Sequence, residues 1–309
     1  MEKWIMIVNP NSATKATSQT WEDSKKALVD AGLEVDHLCT EHKGHAIDLV
    51  AEAAKKGYKK FIAVGGDGTV HEVMTGLLRW ADASGANLGD YTFAAIPSGT
   101  GNDWIRSANI PGEPSEAIKC IVAGKTAKED VVRLTFENGV FCMANIGGVG
   151  LDANICYNTN SLKERGYKCS ILYSLVAPYS IFSRARRKVE IVCDDELVYK
   201  GRLFTAVLAN GAYRGGGLKQ NAEDTNWSDG LVDVSIQPGV NHFKGLFQML
   251  HIYKGDFAVL PGIITKRFRK MTIKPLGKKS DRVEADGEIP GTLPLTVEAT
   301  GQQLNIIVA

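Results

Sequence analysis

The sequence carries almost no net charge. Its 36 basic and 35 acidic residues leave +1, so no global field draws the chain toward nucleic acid or an anionic membrane, and any such contact must be local. Its six cysteines, Cys39, Cys120, Cys142, Cys156, Cys169 and Cys193, include no C-x-x-C pair, and no histidine stands at zinc-finger spacing. There is no H-E-x-x-H and no G-x-S-x-G, which removes the zinc-protease and serine-hydrolase classes. Neither the Walker A pattern nor G-x-G-x-x-G is present, so P-loop and ordinary Rossmann readings lose support. The longest nearly uncharged stretch, Cys169 to Ser183, contains Pro178 and falls short of the roughly 20 residues that span a bilayer. Internal repeats and low-complexity tracts are missing too. The short basic run Lys266-Arg-Phe-Arg-Lys270 has one aromatic and no supporting net charge, so nucleic acid is excluded as a partner.

What is there suffices for two cores: 309 residues, 44% of them hydrophobic. Met1 to Asn9 reads as a short apolar strand rather than a secretion signal, and with scattered cysteines this predicts a reduced, cytoplasmic chain. The first third alternates short β-rich runs with helical patterns. Trp4–Val8 precedes a helix near Trp21–Ala31, Glu34–Cys39 precedes one near His45–Lys56, and Phe61–Val64 precedes one over Val70–Trp80. Tyr91–Ile96 and a helix over Pro114–Val122 follow. Such alternation predicts a doubly wound α/β domain with a parallel sheet over residues 1–127. From 128 to 309 β-rich runs succeed one another: Val131–Phe136, Val140–Ile146, Val189–Cys193, Leu203–Ala209, Leu231–Ile236, Met271–Ile273, Leu293–Val297 and Leu304–Val308. Helices over Tyr167–Phe182 and His242–Ile252 interrupt them. A mostly antiparallel β-sandwich domain is expected there, whose last strand returns to the first domain.

Two glycine-rich segments carry the chemical signal. In Phe61-Ile-Ala-Val-Gly-Gly-Asp-Gly-Thr-Val70 an apolar strand runs into Gly65, Gly66, Asp67, Gly68 and Thr69 and then a helix. Glycines at the carboxyl end of a parallel strand let the backbone approach a phosphate, and the helix start offers it free N–H groups. On glycine spacing alone a plain strand-to-helix turn fits equally well. Phe93-Ala-Ala-Ile-Pro-Ser-Gly-Thr-Gly-Asn-Asp103 repeats the arrangement, with Thr100, Asn102 and Asp103 at its tip, and Val8-Asn9-Pro10-Asn11-Ser12-Ala13 offers a third loop. Carboxylates crowded beside a polyphosphate repel it unless a divalent cation lies between, so Asp67, Asp103 and Asp130 point to Mg²⁺ with ATP.

Asn9-Pro10, Gly65-Gly-Asp-Gly-Thr69 and Pro97-Ser-Gly-Thr-Gly-Asn-Asp103, in that order, resemble the catalytic domain shared by soluble bacterial diacylglycerol kinases, sphingosine kinases and ceramide kinases. The resemblance implies ATP contacts from Asn9, Pro10, Asn11, Ser12 and Ala13, from Thr40, from Gly65 through Val70 to His71, and from Thr100 and Asn102. Glu72 matches a family Glu, and His71 stands where many members carry Asn. Further on, Asn145-Ile-Gly-Gly-Val-Gly-Leu-Asp152 looks like the family's small-residue segment, and Asn221 to Asp233 resembles its metal-associated loop. That implies a structural Mg²⁺ held by the Asp229 side chain and the Asn226 and Leu231 carbonyls, although Asp229-Gly also suits an ordinary β-turn. Val283-Glu-Ala-Asp-Gly-Glu288 occupies the place of the family's acidic pair. By resemblance Asp286 or Glu288 accepts the proton of the acceptor hydroxyl, while the bare tripeptide suits an exposed turn.

The expected activity is therefore transfer of the γ-phosphate of ATP to a free hydroxyl of a lipid such as diacylglycerol, with the active site where the two domains meet. The enzyme is expected to touch the inner face of the membrane transiently, and Arg184-Ala-Arg-Arg-Lys188 suits either anionic headgroups or a plain solvated helix end. A homodimer is left open by the sequence. Two rivals remain: a small-molecule kinase like NAD kinase, which also uses a G-G-D-G loop, and a regulator that binds nucleotide without turnover.

Overall fold

Alternating apolar runs and amphipathic segments become, in the computed structural model, a parallel α/β unit followed by an antiparallel one. The structure describes residues 3–12, 20–99, 101–165, 172–183, 187–219, 226–254 and 257–309. The chain divides into a first unit of Met1–Val131 with Gly301–Ala309 and a second of Val132–Thr300, against an expected join at 127/128.

The first unit runs β1 (Trp4–Val8), α1 (Trp21–Asp30), β2 (Val35–Cys39), α2 (His45–Lys55), β3 (Lys60–Gly65), α3 (Asp67–Ser84), β4 (Thr92–Pro97), α4 (Asp103–Ser107) and α5 (Pro114–Ala123). The four strands are parallel in the order β2-β1-β3-β4. Alternate residues Met6, Val8, Ile62, Val64, Ala94 and Ile96 form one buried face, which Leu28 of α1 and Ile118 and Ile121 of α5 cover. On the remaining side α2 and α3 pack on each other and against β1 and β3, which completes the doubly wound arrangement. Thr20 and Asp23 form a capping box at the start of α1, which explains why the helix begins there.

β5 (Thr126–Phe136) carries the chain onward into β6 (Gly139–Met143), β7 (Ile146–Gly150), α6 (Leu151–Glu164), α7 (Leu172–Ser183), β8 (Lys188–Cys193), β9 (Glu196–Ala209) and the short ladder of β10 (Tyr213–Arg214) with β11 (Leu218–Lys219). Then come β12 (Val232–Pro238), α8 (His242–Lys254), β13 (Ile264–Phe268), β14 (Lys270–Pro275), β15 (Arg282–Ala285), β16 (Glu288–Thr292) and β17 (Leu295–Ile307). Strand β9 belongs to both layers of the second unit. Its first half pairs with β8, which continues to β14 and β17, and its second half pairs with β7 and β12. Val189, Ile191, Met271 and Ile273 from one layer meet Ala206, Leu208, Val234 and Val283 from the other in one core, so the unit is an antiparallel β-sandwich.

Several elements differ from expectation. Leu151–Glu164 is a helix that the pattern hides, because its Asn and Thr residues are weak helix formers and only tertiary packing holds them. The expected strand Val140–Ile146 is two strands broken at Ala144 and Asn145, and the expected helix from Tyr167 is described only from Leu172. The two late strands are one, β17, whose Asn305 and Ile306 pair in parallel with Thr92 and Phe93 of β4. Among the described residues no helix is long and apolar enough to cross a membrane.

Gly76 sets the approach of α3 to α2, since a Cβ there would lie 2.7 Å from the Val50 Cβ and 2.9 Å from the Ile47 carbonyl oxygen. Gly76→Val is therefore expected to lower unfolding free energy by about 1–3 kcal/mol through overpacking, measured from the urea midpoint.

Candidate functional site

Parallel strands in register end together, and so do the loops that follow them. Val8 pairs with Val64 and with Cys39, and Gly65 pairs with Pro97, so the segments after β1, β2, β3 and β4 all start on one edge of the first unit's sheet. Backbone bonds lock the starts. The Asn9 N–H donates to the Val64 carbonyl at 3.0 Å, the Thr40 N–H to Val8 at 2.8 Å and the Ser98 N–H to Gly65 at 2.9 Å. The Ser12 and Ser98 hydroxyls lie 2.6 Å apart, joining the segment after β1 to the one after β4, and the Asn11 N–H donates to Asn9 Oδ1 at 3.0 Å. Asn9, Pro10, Asn11, Ser12, Thr40, Gly65 to Glu72, Asn102 and Asp103 thus belong to strand ends, loops or the first two turns of helices on the same edge. Ala13 and Thr100 lie outside the described residues.

The glycines here answer to contact. A Cβ on Gly99 would lie 2.7 Å from the Gly66 Cα, so the two glycine-rich turns touch through bare backbone. One on Gly101 would meet Asp67 Oδ2 at 2.6 Å. Gly66 caps the 18-residue α3 without any side-chain hydrogen bond, which leaves the dipole-bearing helix start open to an anion. Asp67 and Asp103 have defined neighbours as well. Asp67 Oδ1 accepts the Trp104 N–H at 3.1 Å, which fixes the start of α4, and Asp103 pairs with Arg106 at 3.0 Å. Asn102 takes a left-handed conformation (φ 53°) and donates from Nδ2 to the Gly99 carbonyl at 2.9 Å.

Glu72 turns its carboxylate to the start of α2, where it accepts the N–H groups of Gly44 at 2.8 Å and Ala46 at 3.3 Å. His71 is buried in α3. Sequence reasoning missed Glu129, a fully buried carboxylate on β5 that accepts the Trp104 indole N–H at 3.1 and 3.2 Å and so holds α4 from beneath. Its neighbour Asp130 is buried too and accepts from Gln303 Nε2 at 2.9 Å. A polar basin of about 530 Å³ lined by Gly85, Asn87, Lys128 and Gln302 lies past the far end of α3, away from the loops.

In the second unit the acidic pair sits on a hairpin. Asp286 and Gly287 have successive positive φ values of 53° and 83° between the paired residues Ala285 and Glu288, the pattern of a type I′ turn. Asp286 is buried: its carboxylate accepts the Ala144 N–H at 2.9 Å and the Asn145 N–H at 2.8 Å, while its own N–H donates to Ile146 at 2.9 Å. The small residues of 145–152 now have a reason. A Cβ on Gly147 would lie 2.8 Å from the Glu284 carbonyl, so only bare backbone lets β15 lie beside β7 here. Glu288 is half-buried at the start of β16.

Glu284, which the sequence did not single out, braces the same turn through Oε1, which accepts the Gly287 N–H at 2.8 Å. Burial pushes its carboxyl well above the ordinary carboxylate range. The Gly287 N–H and Arg214 oppose that push, while Asp152 and Asp286 add to it. Asp152, in the first turn of α6, is itself buried between the Arg214 guanidinium and the Thr205 hydroxyl.

The expected metal loop is described from Asn226 onward. Asp229 Oδ1 accepts the Leu231 N–H at 3.0 Å, its other oxygen pairs with Arg267, and Arg267 Nε reaches Asp233 at 3.3 Å. Asn226 Oδ1 accepts the Ser228 N–H at 3.2 Å. Burial raises the Asp233 carboxyl, the nearby Arg267 charge lowers it and Asp229 raises it further. The donors are hard oxygens, which suit Mg²⁺, and the loop already concentrates negative charge that Arg267 balances. Among the described residues no group of three or more His, Cys, Asp or Glu side chains could hold a metal ion.

Residues 3–134 match the family model described as diacylglycerol kinase catalytic domain, and residues 146–308 match that of the YegS C-terminal NAD kinase beta sandwich-like domain. "Probable lipid kinase YegS" of Salmonella heidelberg (strain SL476) is 29% identical over 246 residues, covering 80% of this chain and 78% of that one. YtlR of Bacillus subtilis (strain 168), whose name also carries the words "lipid kinase", is 26% identical over 326 residues and 99% of each chain. A Bacillus anthracis structure described as a diacylglycerol kinase shares the fold at a TM-score of 0.69 and 22% identity, covering 100% of this chain and 97% of that one.

Because the folded value for Glu284 lies above the ordinary 4.5, ionising it costs stability. That cost is absent below about pH 4.5, grows as pH rises from there to the folded value, and stays constant above it. Glu284→Gln keeps an oxygen for the Gly287 N–H and cannot ionise. Its melting temperature relative to wild type should therefore climb across that window and then level off, with about 1.4 kcal/mol for each pH unit of displacement. A difference independent of pH would show that the carboxyl titrates normally.

Proposed function

We propose that this chain, which belongs to the lipid kinases built from a diacylglycerol kinase catalytic domain followed by a YegS C-terminal domain, transfers the γ-phosphate of ATP to a hydroxyl of a lipid such as diacylglycerol. The observation that carries the ATP half is the contact of the Gly66 and Gly99 backbones beside the uncapped start of α3. With no side chains over them, the amides at that point stay accessible to phosphate oxygens, and their dipoles favour the phosphate charge. Asn9, Asn11, Ser12, Thr40 and Asn102 are polar groups suited to the rest of the nucleotide.

Phosphoryl transfer asks the protein mainly to position the reactants and to neutralise charge. Mg²⁺ on the phosphates would supply much of that neutralisation, and Asp67 and Asp103 suit it through bound water. The carboxylate of Asp229 with the carbonyls of Asn226 and Leu231 suits a structural Mg²⁺, which would take over from Arg267 the balancing of Asp229. The acceptor hydroxyl must lose its proton as the bond to phosphorus forms. Asp286 or Glu288 accepts that proton in this reading, and the two backbone N–H groups on Asp286 hold its carboxylate in one orientation.

Removing a proton acceptor of this kind costs about 10²–10⁴ in rate. Glu288→Gln and Asp286→Asn should be compared for transfer from γ-labelled ATP to a panel of hydroxylated lipids, with melting temperatures recorded because Asp286 also holds the turn. If both variants keep full transfer with unchanged ATP affinity, the acidic pair is not the acceptor. Gly66→Val, assayed by calorimetry, should weaken ATP binding at least about tenfold through lost contact with the phosphates, and an unchanged affinity would remove the nucleotide from these loops.

A further inference from the structure

Most large apolar side chains of the second unit are buried, yet four aromatics gather in the open where α7 meets α8. Phe243 is 79% exposed, Phe247 66%, Tyr179 65% and Phe182 52%, with the rings of Phe182 and Phe243 packed edge to face at 6.4 Å. The orientation of both helices is fixed by what they bury. On α7, Val176, Ala177 and Ile181 enter a cluster with Leu151, Ile155 and Phe204. On α8, Gly245 presses against the same Phe204 ring, where a Cβ would lie 2.5 Å from Cζ, and Gln248 is buried beside it. The helical period then leaves Phe243 and Phe247, one turn apart, on the outer face with Lys244 at their flank. An exposed aromatic cluster of this kind costs solubility unless something covers it.

Charge indicates what covers it. Neither 172–183 nor 242–254 contains an Asp or Glu, although such residues make up 35 of the 309. Exposed cations border the face. Lys244 lies on α8, and Arg202, whose carbonyl accepts the Gly239 N–H just before α8, lies at the base of the helix pair with Lys188. Rings flanked by Lys and Arg, with no acid among them, match the boundary between acyl chains and anionic headgroups. We infer that the α7–α8 face docks on an anionic bilayer surface, seating Phe243, Phe247, Tyr179 and Phe182 at the acyl boundary. The inference rests on the lipid-kinase reading only for its purpose, which is to bring the enzyme to a substrate that stays in the membrane; the docking itself stands on the exposed face.

The test uses the full chain with phosphatidylcholine vesicles, with and without phosphatidylglycerol, in a sedimentation assay. Wild type should partition onto the anionic vesicles, and the Phe243→Ser/Phe247→Ser double variant should partition about tenfold or more weakly, because two large apolar side chains no longer leave water. Lys244→Glu should weaken binding to anionic vesicles and leave binding to neutral ones unchanged. An unchanged melting temperature for the double variant keeps the comparison clean, and both rings are exposed. Equal partitioning of wild type and double variant would overturn the inference. So would a wild type that ignores vesicles but forms a dimer that the double variant abolishes, since a second copy would then be the occupant. Transfer to a short-chain diacylglycerol in solution separates the two readings: the double variant should keep it while losing transfer to vesicle lipid. A wild type that binds vesicles through these rings but phosphorylates no lipid would leave the docking face standing and remove the activity.

Discussion

Contact between two stretches of bare backbone governs the first unit. With Gly66 and Gly99 touching, the ends of β3 and β4 can stay locked by the Gly65 to Pro97 pairing and by the Ser98 N–H on the Gly65 carbonyl. Any side chain at either glycine would have to push one strand end away from the other. Around that contact α3 starts against Gly99, Asp67 accepts the Trp104 N–H, and Glu129 accepts the Trp104 indole N–H, so α4 is held by two carboxylates. A glycine pair thus does here what a long side chain could not, which is to bring two strand ends together and still leave their amides accessible.

The second unit solves a comparable problem with carboxylates. Its hairpin tip is tied to the β6–β7 connection by Asp286, whose two oxygens each take one backbone N–H, and closed upon itself by Glu284. Gly147 makes the tie feasible by letting β15 approach. Asp152 and Arg214, in a buried polar group with Thr205, are close enough to Glu284 for their charges to act on it. Burial first, and then the neighbouring Asp152 and Asp286 carboxylates, disfavour the charged form of Glu284. Structure that holds such an arrangement against its own electrostatics is the kind found where chemistry needs it.

Much of this was legible in the sequence where local pattern and tertiary outcome agree. The first four strands and their helices follow the apolar period, and the Gly65–Thr69 and Pro97–Asp103 segments announce strand-to-helix turns at a common edge. What escaped was decided by distant partners. Leu151–Glu164 reads as polar and weakly helical, and only its packing under α7 makes it a helix. Glu72 looks like part of the glycine loop, yet its carboxylate is taken up by the N–H groups at the start of α2. Glu129 and Glu284 sit inside strands where alternation predicts either face, and nothing local says that an indole or a turn amide waits for them. Asp286-Gly-Glu288 suits an exposed turn by composition, while Ala144 and Asn145, more than 140 positions earlier, bury it.

Strand β17 has a temporal consequence. Its first residues pair with β14 of the sandwich and its last, Asn305 and Ile306, extend the parallel sheet beside β4. Beside β4, then, the nucleus of the first unit must wait with an open strand edge while the ribosome makes everything from Val132 to Thr300. At synthesis speeds of about 5–20 residues per second that wait lasts on the order of ten seconds or more. An unpaired edge invites wrong partners, and here that exposure ends only when the final strand emerges.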